Sequence, residues 1–133
     1  MDIGNLNSRA AQTEGAFLHL RHPATDLPLW DGEEVEGNEV GVYVRGKEYP
    51  PAQRLARKMA DRKFKNYKEE EAAGLAYASI LISGFKNLST EGRPLEATDD
   101  DKKLFLEMSD AFVDQVMEFA QERANFSMPA SGS

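Results

Sequence analysis

Residues 41–48 have the glycine and lysine spacing of a phosphate-binding loop, in which backbone N–H groups cradle the phosphates of a nucleotide. In such a loop a serine or threonine follows the lysine and its hydroxyl holds magnesium, but the residue after Lys47 is Glu48. Residues 42–44 are also β-branched or aromatic, which favours a strand over an open loop. We therefore predict no nucleotide site in this segment.

Two further groups of polar residues have the chemistry of metal ligands. His19 and His22 are three residues apart, but a metal site needs more ligands and none follows nearby. Metal binding is the weaker alternative to one histidine at a strand edge and one in the turn before Pro23. The acids at residues 99–101 lack the spaced oxygens and the glycine of a calcium loop. We interpret them as the acidic first turn of a helix, where they complement the helix dipole.

The residues that enzymes use as nucleophiles are missing or out of context. The chain has no cysteine, and no serine stands in the G-x-S-x-G turn of the hydrolases. With two histidines and no glycine-rich phosphate loop, we predict no catalytic residue, no cofactor and no enzyme. The absence of cysteine also suits a reducing cytosol. No apolar run approaches the roughly 20 residues that cross a bilayer, so we predict no membrane contact.

The charge of the chain is divided into two blocks of opposite sign. The net charge is −7, yet residues 45–68 contain nine Lys/Arg against two acids and carry +7, which leaves −14 on the rest. Such blocks can bind copies of the same chain or a charged partner, or they can pair within one molecule.

Four cations of the basic block recur at helical spacing and form a candidate charged contact surface: Arg54, Lys58, Arg62 and Lys65. Three interpretations are open for this cationic stripe. It can be a solvated helix face, a contact with an acidic protein surface, or a contact with nucleic-acid phosphates. Nucleic acid is the least favoured, because the −14 on the rest of the chain repels a phosphate backbone.

A chain of 133 residues fits one domain with a single core. We predict a flexible N-terminal arm over residues 1–14, the domain over residues 15–126 and a flexible tail over residues 127–133. Short runs of strand-forming residues at 16–20 and 40–44 lie on either side of a turn-rich connection and predict an antiparallel hairpin.

Three helical segments follow the hairpin. A basic helix over about residues 51–66 begins at two prolines, which are tolerated in a first turn. A second helix over about residues 69–82 has a face of small residues and ends where Ser83 and Gly84 are interpreted as its stop. The third begins at Thr98 as N-cap, and a second cap at Ser109 leaves open whether residues 99–125 form one helix or two.

The fold class that follows is mainly α with a short N-terminal β-hairpin, a small and self-associating helical domain. Apolar residues at helical spacing in two of the helices are candidate partner or self contacts: Leu55, Met59, Phe64, Phe112, Val116 and Phe119. The aromatic stripe of the last helix can equally be domain core. A core made only of this stripe, a hairpin and two short helices is thin, which favours burial of part of it in an oligomer.

Six segments carry a resemblance to a known family. They are GAFLHLRHPAT at 15–25, AQRLAR at 52–57, LISGF at 81–85, LEAT at 95–98, FVDQVMEF at 112–119 and RANF at 123–126. In order and spacing they resemble the tail assembly chaperones of phages with long, non-contractile tails (siphophages). The first segment is similar to the opening strand and turn of that family, and the last two are similar to its closing helix.

The resemblance implies a noncatalytic assembly factor that binds the tape measure protein, keeps it soluble and recruits tail tube subunits. It also implies self-association, a longer form of the protein made by frameshifting, and a location in the host cell cytoplasm rather than in the mature virion. Two alternatives are a small nucleic-acid-binding module that uses the basic helix 51–66 and a structural minor tail component.

Overall fold

Three short antiparallel strands form the sheet on which the helices pack. A computed structural model of the chain describes residues 8–126. The strands are β1 (Ala16–His19), β2 (Gly41–Val44) and β3 (Ile82–Lys86), in the order β1-β2-β3. The expected pairing of residues 16–20 with 40–44 is present as β1 and β2, but the two strands belong to a larger sheet rather than to a separate hairpin.

The two faces of the sheet differ in composition because successive side chains of a strand point to opposite sides. Leu18, Val42 and Val44 face the helices and are buried, whereas Phe17 and Tyr43 pair across the outer face. Gly41 is needed at its position, since a Cβ there would collide with the Leu18 carbonyl and the Phe17 ring.

Five α-helices and two small elements complete the described chain. They are α1 (Ser8–Glu14), α2 (Pro50–Asp61), α3 (Tyr67–Leu81), α4 (Asp99–Met108), α5 (Asp110–Gln121), a 3-10 helix (Arg123–Phe126), and a hairpin of β4 (Ser89–Thr90) and β5 (Arg93–Pro94). Helix α3 occupies the centre, where it packs against α2, α4 and α5. Residues 99–121 form two helices, α4 and α5, because Ser109 accepts the N–H of Ala111 and begins a separate helix.

The N-terminal segment corrects the prediction of a loose arm. Residues 8–14 form α1, and both Ala11 and Gln12 are buried. The Gln12 side chain accepts the N–H of Glu48 at 2.7 Å and donates to the Glu48 carboxylate at 2.8 Å, which ties α1 to the connection after β2. Residues 1–7 of the predicted arm and residues 127–133 of the predicted tail lie outside the described residues.

The basic helix is shorter than predicted. Helix α2 ends at Asp61, and Arg62 already has an extended backbone. The reason is the start of the next helix: the Asn66 side chain accepts the N–H of Glu69 at 2.9 Å and so caps α3. The helical period of the apolar residues continues through 51–66, but the helix itself ends before this cap.

The segment predicted as a helix stop is a strand. Helix α3 ends at Leu81, and Ser83 and Gly84 lie inside β3. Gly84 does not take the positive φ that a glycine after a helix usually takes. The buried, β-branched Ile82 turns the chain directly from helix into the sheet.

Asp101 anchors the start of α4 to the small hairpin before it. Two Arg93 guanidinium nitrogens donate to the two Asp101 carboxylate oxygens at 2.8 Å each, and the Glu96 N–H donates to Oδ2 at 2.8 Å. The hydrogen bonds from Arg93 first, and then that from Glu96, lower the pKa of Asp101 from 3.8 to about 2. The charged form of this buried carboxyl is therefore the one that stabilises the fold.

We expect Asp101→Asn to lower the midpoint of thermal unfolding by several degrees near neutral pH and to lose most of that effect in acid. Because the folded-state pKa is lowered to about 2, the contribution of Asp101 is fully present above about pH 4 and is lost as the pH falls through about 2. Circular dichroism melts across this range measure it. Asp100→Asn, on the exposed side of the same turn, is the control. A pH-independent difference between wild type and Asp101→Asn would contradict the assignment.

Candidate functional site

The predicted apolar contacts of the last helix are divided between core and surface. Phe112 and Val116 have only 9% and 0% of their area exposed, so the prediction that they contact a partner is wrong for this fold. Phe112 instead stacks on Phe105 with 4.9 Å between ring centroids. Phe119 is half-buried and meets the ring of Phe126 edge-on.

The predicted apolar contacts of the basic helix lie at the margin of the core. Leu55 and Met59 lie on α2, are half-buried, and pack against the core. Phe64 lies beyond the end of α2 and is half-buried, with the Arg62 guanidinium 5.6 Å from its ring centroid. The structure therefore does not bring these residues together with Phe112, Val116 and Phe119 into one exposed surface.

The cationic stripe is broken by the end of α2. Arg54 and Lys58 lie on α2 and are exposed, whereas Arg62 and Lys65 lie in the connection to α3. Arg62 donates to Glu69 at 2.6 Å. It is the one cation of residues 45–68 that forms an ion pair with another residue of the described range 8–126. Pairing within one molecule therefore does not neutralise the basic block there.

The residues with metal-ligand character have structural partners. The His19 ring nitrogen Nε2 lies 2.7 Å from the Leu29 carbonyl oxygen, and the ring meets Trp30 edge-on. His22 Nδ1 accepts the N–H of Ala24 at 3.0 Å inside its turn. Over residues 8–126, no group of three potential ligands that could hold a metal ion is present.

The phosphate-loop spacing is occupied by secondary structure. Residues 41–44 form β2, and Gly46 is packed so closely on Gln12 that a Cβ would collide with the glutamine side chain. The backbone N–H of Gly46 donates to the Gln12 carbonyl at 2.9 Å. This segment therefore does not form an open cradle for phosphates.

An open apolar groove lies between α3 and α4 and has a volume of about 420 Å³. Its α3 side is formed by Ala72, Leu75, Ala76 and Ser79, and its α4 side by Leu106 together with exposed charged side chains. Those charged residues are Asp99, Lys103 and Glu107. The Lys103 ammonium lies 3.9 Å from the Glu107 carboxylate.

Small side chains on α3 create this groove. Alanine and serine end at Cβ or one atom beyond it, so Ala72, Ala76 and Ser79 leave the space beside Leu106 unfilled. Sequence reasoning identified the small-residue face of this helix but placed the partner contacts on larger apolar residues elsewhere. The signal that could have found the site is the recurrence of alanine at two exposed positions one turn apart, Ala72 and Ala76.

The described residues define a small domain with five helices and a few antiparallel strands, carrying an open apolar groove. None of these helices, within residues 8–126, has the length and apolar character that a bilayer span requires. Comparisons with protein-family models, with curated proteins and with solved structures find no match to the chain.

Proposed function

We propose that this protein is a tail assembly chaperone of a phage with a long, non-contractile tail. In this role it binds the tape measure protein, keeps that protein's apolar helices soluble, recruits tail tube subunits in the host cytoplasm, and does not remain in the mature virion. The observation that carries the proposal is the apolar groove between α3 and α4. The resemblance of residues 15–126 to this family supports it from the sequence.

The groove suits an amphipathic helix of the partner. Its α3 side runs from Ala72 to Ser79, which at 1.5 Å per residue is about 10 Å, or two helical turns. A partner helix with apolar residues at i, i+3 or i+4, and i+7 would place them along this length. The small side chains of Ala72 and Ala76 allow its backbone to approach closely.

Charge beside the groove favours one kind of partner helix. Asp99 and Glu107 contribute two carboxylates against the single ammonium of Lys103. A partner helix with lysine or arginine on the flanks of its apolar stripe would therefore bind in preference to one with acidic flanks. Amphipathic helices of this composition expose apolar surface when they are alone, and covering that surface is the task of a chaperone.

Self-association is the second part of the proposal. The exposed cations Arg54 and Lys58 on α2 have no ion pair within residues 8–126, and the rest of the chain carries −14. Contact between the basic block of one copy and an acidic surface of another would neutralise both. A frameshifted longer form would join such an assembly through the same domain.

The test is co-expression with the tape measure protein of the same phage. We expect the soluble fraction of the tape measure protein to rise when this chain is present and the two proteins to purify together. If the tape measure protein stays insoluble, the chaperone function is contradicted. Detection of this chain in purified virions would favour a minor tail component instead. Duplex DNA binding that weakens steeply with salt would favour the nucleic-acid module.

A further inference from the structure

We infer that a second, polar pocket on the opposite flank of α3 binds the phosphate group of a small ligand. This pocket has a volume of about 440 Å³ and is separate from the apolar groove. Three cations line it: Lys47 from the connection after β2, Arg57 from α2, and Arg123 from the 3-10 helix. The inference is independent of the chaperone proposal.

The three cations come from distant parts of the chain, and the lining has only one acid, Glu48, against them. Lys47, Arg57 and Arg123 form no ion pair with any other residue between 8 and 126. Gathering like charges at one pocket is unfavourable unless an anion joins them. The fold brings them together nevertheless, on a chain whose net charge is −7.

Tyr77 supplies a further hydrogen-bond donor. Its side chain lines the same pocket and is only 8% exposed, yet its hydroxyl has no hydrogen-bond partner among residues 8–126. The hydroxyl itself is not buried, so it can bond to solvent or to a ligand that enters the pocket. Burial also raises the pKa of Tyr77, so the hydroxyl keeps its proton at neutral pH and is able to donate. A ligand oxygen in the pocket would accept that hydrogen bond.

The other polar groups favour phosphate over a single carboxylate. The amides of Gln53 and Gln121 also line the pocket and provide further N–H donors. Two guanidiniums, an ammonium, two amides and a hydroxyl exceed what one carboxylate can accept, whereas a phosphate monoester has three acceptor oxygens and a charge of about −1.5 to −2. Glu48 is the one acid of the lining, and its carboxylate accepts from Gln12 at 2.8 Å. The lining therefore keeps an excess of positive charge.

A long nucleic acid is a poorer ligand for this site than a single phosphate group. A phosphate backbone would extend beyond the pocket over a chain that carries −14 outside residues 45–68. Inorganic phosphate and the terminal phosphate of a nucleotide share the chemistry that the pocket recognises. The experiment distinguishes these two sources.

Titration of the full chain with inorganic phosphate and, separately, with ADP tests the inference. We expect saturable shifts of the backbone amide signals of Lys47, Arg57 and Arg123 in heteronuclear NMR spectra. Because charge-assisted hydrogen bonds are lost, Arg57→Gln and Arg123→Gln should each raise the Kd by about tenfold. Tyr77→Phe, which removes one hydroxyl and keeps the ring, should raise it by about threefold.

Arg54→Gln is the matched control, because Arg54 is an exposed arginine of the same helix that does not line the pocket. We expect it to change the Kd by less than about twofold. Equal losses in Arg54→Gln and Arg57→Gln would overturn the inference, as they would indicate diffuse attraction by the whole basic block. Absence of saturable shifts at millimolar phosphate and millimolar ADP would also overturn it. So would tighter binding of single-stranded DNA that depends equally on Arg54 and Lys58.

Tighter binding of ADP than of phosphate would identify the ligand as a nucleotide, and equal affinities would identify it as a phosphate group alone. Either result supports the site. Circular dichroism melts of each variant verify that it is folded. Tyr77→Phe preserves the apolar packing of the ring, so loss of binding in this variant cannot be assigned to unfolding if its melt matches that of the wild type.

Discussion

On the proposed function, replacing Ala76 with arginine is expected to weaken the binding of an amphipathic tape measure helix by at least about tenfold, the equivalent of 1.4 kcal/mol. Ala76 lies in the middle of the α3 side of the groove and is exposed. A long, charged side chain there would occupy the space that the partner's apolar side chains need. It would also place a positively charged guanidinium against the basic flanks expected of the partner helix.

The same substitution should leave the domain folded. Ala76 is on the surface of a helix, and arginine has a helix propensity close to that of alanine, so the free energy of unfolding should change by less than about 0.5 kcal/mol. Loss of binding in a folded variant would therefore report on the groove alone.

Fluorescence anisotropy of a labelled peptide from the tape measure protein measures the affinity, and the soluble fraction on co-expression measures the function. Ala60→Arg is the control, since Ala60 is an exposed alanine of α2 outside the groove. If Ala76→Arg binds and solubilises as well as Ala60→Arg does, the partner uses another surface. If both variants fail to solubilise while binding the peptide normally, the charge of the chain rather than the groove controls the activity.

Features that depend on neighbouring residues could be predicted from the sequence. Thr98 caps α4 by accepting the N–H of Asp101, and Ser109 caps α5. A cap needs only a short polar side chain and the backbone two or three residues onward, so both are visible in a few letters of sequence. The β-branched and aromatic residues at 40–44 predict a strand for the same reason.

Features decided by competition between local signals were predicted less well. The apolar period of Leu55, Met59 and Phe64 extends a helix to about residue 66, whereas the cap at Asn66 requires an extended chain before it. Each signal is local, so the sequence alone does not show which of the two determines the end of the helix. The helix ended at Asp61 because the capped start of α3 dominates over continuation of α2.

Features that depend on distant residues could not be predicted. Strand β3 exists because β2 provides its hydrogen-bonding partner, with Val42 opposite Phe85. The burial of Phe112 and Val116 has the same origin, since an apolar stripe looks alike whether its partner is the sheet of its own chain or another protein. The groove required α3 and α4 to lie side by side, and no spacing within either helix gives that arrangement.

Replacing Phe105 with alanine is expected to lower the free energy of unfolding by about 3–5 kcal/mol, the range for truncating a buried aromatic residue. Phe105 is fully buried, stacks on Phe112 at 4.9 Å and meets Phe85 edge-on at 5.4 Å. Its ring thus connects α4 to both α5 and β3, and alanine would leave a cavity where the three elements meet. Since small domains are stable by only about 5–15 kcal/mol, this single change would remove a large part of the total.

Urea denaturation followed by circular dichroism measures the loss, and Leu104→Ala is the control on the same helix. Leu104 is the neighbouring large apolar residue but is 38% exposed, so its truncation should cost less than about 1 kcal/mol. Equal losses for the two variants would contradict the assignment of Phe105 to the core. The contrast matters for function because aromatic side chains that are buried in the core and stabilise the fold are not accessible to a partner. On the proposed function, the partner therefore binds a surface that the aromatic core leaves open, and the groove at the small-residue face of α3 is such a surface.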